Sequence, residues 1–232
     1  MKNKFLKLWY TYREKVIPSI HHTGTYTLYL YHDREGRFDY ERYKKLQISG
    51  NQKKLHMVWA LEENVRYLAE WIRKNVGSPR FGLCHGTRRG VEQSWFRDAL
   101  NCDVIGTEIS DTATNFPHTI RWDFHEIKEE WRSACDFVYS NAFDHTYDPK
   151  KCITAWMACL KPQGVCIIEH SSSRGYGATT AIDPFGVNAE LLPWLILKWS
   201  EGRFAVTTVL DAPQHRPGRH ISFFIIRHTP LP

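Results

Sequence analysis

Residues 81–90 read FGLCHGTRRG and join an apolar run to a helical pattern through a turn with glycine at 86 and 90. Glycine at such a turn lets the backbone pass close to a ligand. A dinucleotide cradle would need glycine at 86, 88 and 91, but the chain has Arg88 and Val91, which disfavours a nicotinamide cofactor. A carboxylate, Glu108, closes the run CDVIGTE about 20 residues after Gly86, and Asp123 follows in WDF. Histidine is the side chain that titrates near neutral pH. Of 12 histidines, two stand out: His145 in SNAFDH, beside Asp144 and just past the strand-like CDFVYSN, and His170 in EHSSSRGYG, at the end of GVCIIEH. Ligands of open α/β sheets bind at the carboxyl ends of strands. Asp144, His145 and His170 are therefore the candidate catalytic residues, with His145 first as base or substrate orienter and His170 second. The competing reading for each histidine is a strand-end ring that donates to a backbone carbonyl.

The elements that would carry these groups are legible from periodicity. TYTLYLY (25–31) alternates like a strand, HDREGR turns, and FDYERYKKLQI reads as a helix, followed by a polar loop at SGNQKK. Leu61, Val65, Leu68 and Ile72 recur at helical spacing. From residue 81 short strands alternate with helices: RFGLC, then VEQSWFRDAL with Val91, Trp95 and Ala99 on one face, then CDVIGTEI, TIRWDF, CDFVYSN, PKKCITAWMACL and GVCIIEH. NAELLPWLILKW is helical, and Pro193 demands a start or a kink there. FAVTTVL and HISFFIIRH are strands joined without a helix, which favours an antiparallel pair at one edge. Residues 1–17 read as a short helix. The expected class is α/β: a mostly parallel sheet with an antiparallel last strand, flanked by helices on both faces.

Composition bounds the function. The chain has 232 residues, 42% hydrophobic and 14% aromatic, enough for one sizeable core. A net charge of +6 suits an anionic small molecule, a glycan-linked phosphate or nucleic acid, and equally plain solubility, because it is spread along the chain. Six cysteines, none in a C-x-x-C pair, give no zinc or redox signature, so no metal is expected and a reducing cytoplasm is. MKNKFLKLWYTYREK is not read as a signal peptide, and no run approaches a membrane span.

This strand order and four landmarks resemble the class I S-adenosylmethionine-dependent methyltransferases over about residues 60–228. The family's acid-x-Gly-x-Gly-x-Gly turn corresponds to Cys84-His85-Gly86-Thr87-Arg88-Arg89-Gly90, in which two glycines match, Cys84 stands for the acid and Arg88 for the middle glycine. S-adenosyl-L-methionine carries no pyrophosphate, so a full glycine triplet is unnecessary. The resemblance implies a cofactor site of Cys84, His85, Gly86, Thr87, Arg88, Glu108, Ile109, Asp123, Phe124 and Asn141. Arg88 or Arg89 would pair with the methionine carboxylate, and Glu108 would accept both ribose hydroxyls. Asp123 would receive the adenine amino group over Phe124, or else cap the HEIKEEW segment. Asn141 occupies the place of the family's catalytic motifs. Neither the Asn/Asp-Pro-Pro-aromatic motif of base methylation nor the Pro-Cys of cytosine methylation is present.

The implied activity is in-line methyl transfer to a hydroxyl of a small molecule, a sugar or a sugar phosphate. A nucleic-acid-modifying enzyme or a non-catalytic domain on the same fold stands as the alternative. The loop 171–186, long and polar, offers Arg174 and Tyr176 to the acceptor. Residues 1–58 are expected as an N-terminal extension closing over the domain 59–232, with Gln47, Asn51 and Lys54 facing substrate. Arg216 and Arg219 lie in the last loop, as further cations or as part of a solvated turn.

Overall fold

The computed structural model describes residues 19–230. The helix expected over 1–17 lies outside the described residues. Along the chain run β1 (Ile20–His22), β2 (Tyr26–Tyr29), α1 (Tyr40–Lys53), α2 (Glu62–Asn75), β3 (Phe81–His85), α3 (Val91–Leu100), β4 (Asp103–Glu108), β5 (Thr119–Arg121) and β6 (Cys135–Ser140). There follow α4 (Pro149–Ala158), β7 (Leu160–Ser171), β8 (Phe185–Val187), α5 (Leu192–Ser200), β9 (Phe204–Asp211) and β10 (Ile221–His228).

Seven strands make one sheet in the order β5-β4-β3-β6-β7-β10-β9. Neighbours from β5 to β7 are parallel, and β10 is antiparallel to both β7 and β9. The pair β9–β10 closes one edge, as its helix-free connection predicts. The central strands are buried on both faces, which is why β7 and β10 read as continuous apolar runs rather than as alternation. Their side chains nevertheless sort by period two. Val165, Ile167, Phe223 and Ile225 pack under Val65, Leu68 and Ile72 of α2 and Phe96 of α3. Cys166, Ile168, Phe224 and Ile226 meet Ile153, Trp156 and Met157 of α4 and Leu195 and Ile196 of α5 on the other face.

Strand order reverses at β3, since the chain runs outward to β4 and β5 and then returns to place β6 on the other side. Such a switch point leaves a crevice at the carboxyl ends of β3 and β6. A second, antiparallel sheet of β1, β2 and β8 stands over that end. The N-terminal segment and the loop after β7 therefore fold as one unit. Gly177 N–H donates to Thr27 Oγ1 (3.1 Å), and Tyr31 Oη donates to the Ala181 carbonyl (3.0 Å).

Two expectations need correcting, and a third is narrowed. Helix α1 continues through residues 49–53, expected as part of a loop. Ser, Gly and Asn are weak helix formers, but Gly50 and Asn51 are buried, and packing overrides propensity. The buried face of α3 is Glu92, Gln93, Phe96 and Leu100, one residue on from the face expected. Gln93 can turn inward because Gly106 has no side chain, and its Nε2 donates to Thr119 Oγ1 (2.7 Å). Pro193 sits in the first turn of α5, where its missing N–H costs nothing, so it starts the helix.

Candidate active site

A cavity of about 420 Å³ opens at the switch point, a size typical of small-molecule sites. Its floor is the turn after β3. Gly86 (φ 74°), Arg88 (φ 45°) and Gly90 (φ 71°) all adopt left-handed backbone. Arg88 thus keeps the conformation for which glycine is ordinarily chosen. The N–H groups of Gly86 and Thr87 both donate to the Thr107 carbonyl (2.9 and 3.1 Å), pinning the turn to β4. A Cβ on Gly86 would come within 2.5 Å of Ala142 Cβ, so the bare backbone packs directly on that methyl group. Ser140 Oγ, at the end of β6, donates to the His85 carbonyl (2.9 Å) and accepts from Ala142 N–H (3.0 Å), which holds that approach.

Glu108, at the tip of β4, lines the cavity with Ile109. Burial raises its pKa, although Ser110 N–H donates to its Oε1 (3.0 Å) and favours the carboxylate. The Asn51 side chain also bonds this carboxylate and favours its charged form. Asp123 and Phe124 also line the cavity. Asp123 Oδ1 accepts from His125 N–H (2.9 Å) and faces His125 Nδ1 (2.7 Å), while Oδ2 accepts from Tyr40 Oη (2.8 Å). Burial alone would raise its pKa, but these bonds outweigh it and hold the carboxyl below its ordinary value. No helix follows directly for Asp123 to cap; instead it fastens α1 to the turn after β5.

The roof is α1 with the loop from β7 to β8. Gln47, Asn51 and Lys54 face the cavity from α1 and its end. Gln47 Nε2 donates to the Ile182 carbonyl (2.9 Å), Asn51 Oδ1 accepts from Thr112 Oγ1 (3.0 Å), and Gly50 brings α1 close to Ile182. Beneath lies an ionic cluster. Arg174 spans Asp144 and Asp183, with 2.7 Å to a carboxylate oxygen of each. His145 Nδ1 meets Gln47 Oε1 (2.9 Å), and its Nε2 faces Asp183 at 3.6 Å. Atoms of Asp144, His145 and Asp183 lie within 4.8 Å of one another, and Arg174 already supplies their cation. Gln47 thus takes the one hydrogen bond of the His145 ring among the described residues, at Nδ1, while Nε2 stands near Asp183 beyond hydrogen-bond distance.

His170 differs. Its Nε2 meets the Val187 carbonyl (3.0 Å), which can only accept. That contact fixes the proton on Nε2 and leaves Nδ1 with a lone pair. Burial lowers the ring's pKa, so the neutral form dominates near pH 7. Two carboxylates unmarked by sequence reasoning also line the cavity. Glu92, from the first turn of α3, and Glu169, at the end of β7, are each pushed up to about 7, chiefly by burial. Tyr139 Oη donates to Glu169 Oε2 (2.7 Å). An acid in a helix's first turn reads as a dipole contact, and only depth in the fold distinguishes Glu92.

Of the expected residues, Gly86, Thr87, Arg88, Glu108, Ile109, Asp123, Phe124, Asn141, Asp144, His145, His170, Arg174, Gln47, Asn51 and Lys54 share this cavity. Three do not. Cys84 points into the core beneath α3 and is fully buried. His85 stacks on Trp156 (5.1 Å between centroids) and bonds Thr107, and burial pushes its pKa down to about 3. Tyr176 is 40% exposed and meets His22, away from the cavity. Arg174 is within the cavity, but its charge is spent on two carboxylates, so it does not offer a free cation to an anionic acceptor. Arg219 joins the wall, while Arg216 pins the carbonyls of Val58 and Trp59.

No protein-family model matches this sequence, and no curated protein does. Solved structures do. A 1,6-didemethyltoxoflavin-N1-methyltransferase of Burkholderia thailandensis, with bound 1,6-didemethyltoxoflavin and S-adenosylhomocysteine, superposes with a TM-score of 0.64 at 15% identity, over 92% of this chain and 100% of that one. The geranyl diphosphate C-methyltransferase of Streptomyces coelicolor A3(2), in complex with Mg2+, geranyl diphosphate and S-adenosyl-L-homocysteine, gives 0.52 at 12% identity, over 70% and 77%. The cyclase SpnF gives 0.51 at 12% identity, over 70% and 80%. The fold is that of the class I methyltransferases, and among these neighbours it carries a cyclase as well as methyltransferases.

Proposed function

We propose that the protein is an S-adenosylmethionine-dependent methyltransferase acting on a hydroxyl of a small molecule. The observation that carries this is the joint placement of the Gly86 turn and the Glu108 carboxylate on one cavity at the switch point. The residues fit the cofactor: the bare Gly86 turn and the buried Glu108 carboxylate line one cavity, the carboxylate as an acceptor for vicinal hydroxyls in place of Asn51, and Thr87 Oγ1 and Glu92 Oε2 are buried on that wall without partners among the described residues. Arg88 and Arg89 stand at the same turn, and Phe124 offers an apolar face beside Asp123. When bound, the cofactor supplies a methyl group activated by its sulfonium.

The chain's own work is to align the acceptor and manage one proton. Positioning supplies much of the rate in such a displacement. His170 is the general base: with the proton fixed on Nε2 by the Val187 carbonyl, Nδ1 takes the hydroxyl proton. His145, Gln47, Asp183 and Arg174 hold the roof over the acceptor. The walls Phe143, Ile182, Phe185 and Val187 with the paired ionic cluster favour an uncharged, hydroxyl-rich acceptor over a phosphate ester.

Transfer of a labelled methyl group from S-adenosylmethionine to a panel of sugars, sugar phosphates, phenols and total RNA tests this. Labelling of a neutral hydroxyl compound, lost in His170→Gln, is expected. Labelling of RNA alone, or transfer that survives His170→Gln at full rate, would refute the hydroxyl reading. A second reading, a domain on this fold that transfers no methyl group, is favoured by the cyclase among the neighbours. It predicts binding of the cofactor with no transfer to any acceptor.

A further inference from the structure

We propose that Glu92, together with Asn141, binds the ammonium group of the cofactor's amino-acid tail, since the Cys84 that stands for the family's acid supplies no carboxylate. The inference rests on the cofactor reading above. Cys84 is fully buried, its thiol is pushed well up by burial, and it does not reach the cavity, so no charge is available there. Glu92 stands two residues after Gly90 and does reach it. Its side chain is buried, with the residue 4% exposed. One oxygen accepts a long bond from Asn141 Nδ2 (3.5 Å), and Oε2 has no partner among the described residues.

A buried carboxylate without a counter-charge is costly. The surroundings make it more so. Glu169 faces it with a second buried acid, while Tyr139 gives its hydroxyl to Glu169 rather than to Glu92. Cys84 adds no positive charge, Arg88 reaches Glu92 only through its field while donating to the Met57 carbonyl, and Arg216 acts on Glu169. The empty-handed oxygen therefore awaits a cation from the cavity. An ammonium suits it, having three donors and a compact charge. Asn141, by donating its amide nitrogen to Glu92, keeps its own carbonyl oxygen as a second acceptor. Glu92 at the start of α3 and Asn141 at the end of β6 line the same cavity as Gly86, so they would receive the amino-acid tail of a cofactor lying along that turn.

The test is calorimetry with two ligands, S-adenosylhomocysteine and 5′-methylthioadenosine, which lacks the amino-acid tail. Wild type binds both. In Glu92→Gln the affinity for S-adenosylhomocysteine falls about 10- to 100-fold, the size of a lost charge-assisted bond, and that for 5′-methylthioadenosine does not change. Equal loss for both ligands, or for neither, overturns the role of Glu92 and leaves the cofactor reading intact. Failure of wild type to bind either ligand overturns the cofactor reading itself. Wild type supplies an independent readout that needs no variant. Near pH ~6.5 the Glu92–Glu169 pair holds a proton, and pairing with ammonium expels it. Heats measured in buffers of different ionisation enthalpy should show proton release with S-adenosylhomocysteine and none with 5′-methylthioadenosine. Binding of S-adenosylhomocysteine without proton release overturns the proposal.

Discussion

Replacing Gly86 by alanine imposes two separable penalties. The first is conformational: φ is 74°, and a side chain in left-handed backbone costs about 1 kcal/mol or slightly more. The second is steric, because the new methyl would stand 2.5 Å from Ala142 Cβ, closer than carbon atoms approach, and the 141–142 turn is held in place by Ser140. Overpacking of this kind costs about 1–3 kcal/mol. Gly218 provides the control: its φ is 69°, and a Cβ there would meet nothing within 4 Å. Gly218→Ala should therefore lower the melting temperature by about 2–4 °C and Gly86→Ala by about 4–16 °C, taking ~1 kcal/mol as 2–4 °C for a chain of this size. Adding Ala142→Gly to Gly86→Ala should recover the steric share and restore cofactor affinity. Equal melting shifts for Gly86→Ala and Gly218→Ala, or no recovery in the double variant, would refute the packing argument at the floor of the cavity.

Other perturbations probe the walls and the roof. Glu169 has a pKa raised to about 7, so its stability contribution is full below the ordinary carboxyl range and lost as pH rises through 7. Wild type should then melt lower at pH ~8 than at pH ~5, and Glu169→Gln should flatten that difference; an unchanged profile contradicts the buried acid. His170 has a pKa lowered by burial, so turnover should hold at neutral pH and fall only below pH ~6.5. His170→Gln should cut kcat about 10²- to 10⁴-fold with cofactor affinity preserved, as measured by steady-state rates and calorimetry. Tyr40→Phe removes the bond to Asp123 and should destabilise by about 1–3 kcal/mol, with faster hydrogen exchange across α1. Tyr176→Phe should leave the cofactor's Kd unchanged, because Tyr176 lies away from the cavity.

The sheet was legible because its strands are apolar runs set between helical periods, and the turn at Gly86 and the acid at Glu108 fall at strand ends where such a sheet collects its ligands. The roof was harder to read. Helix α1 runs through Ser49, Gly50 and Asn51, residues that alone favour loops, and contacts of Gly50 with Ile182 and of Asn51 with Thr112 make the segment helical. The strand β8 has three residues and exists through pairing with β2, a contact between positions far apart in the chain. Glu92 and Glu169 escaped notice because acids are ordinarily solvated, and nothing local marks a carboxylate as buried. His145 and His170 were both legible at strand ends, but their partners were not: Gln47 bonds one nitrogen of the first ring from α1, and the Val187 carbonyl bonds one nitrogen of the second from β8.

Titration of S-adenosylhomocysteine into wild type and Glu108→Ala is the most direct trial of the central claim. Tight binding to wild type, weakened about 100-fold or more when the carboxylate that would take both ribose hydroxyls is removed, is the expected result. Affinities within about twofold of each other would show that Glu108 does not hold the cofactor and that the cavity at Gly86 serves another ligand.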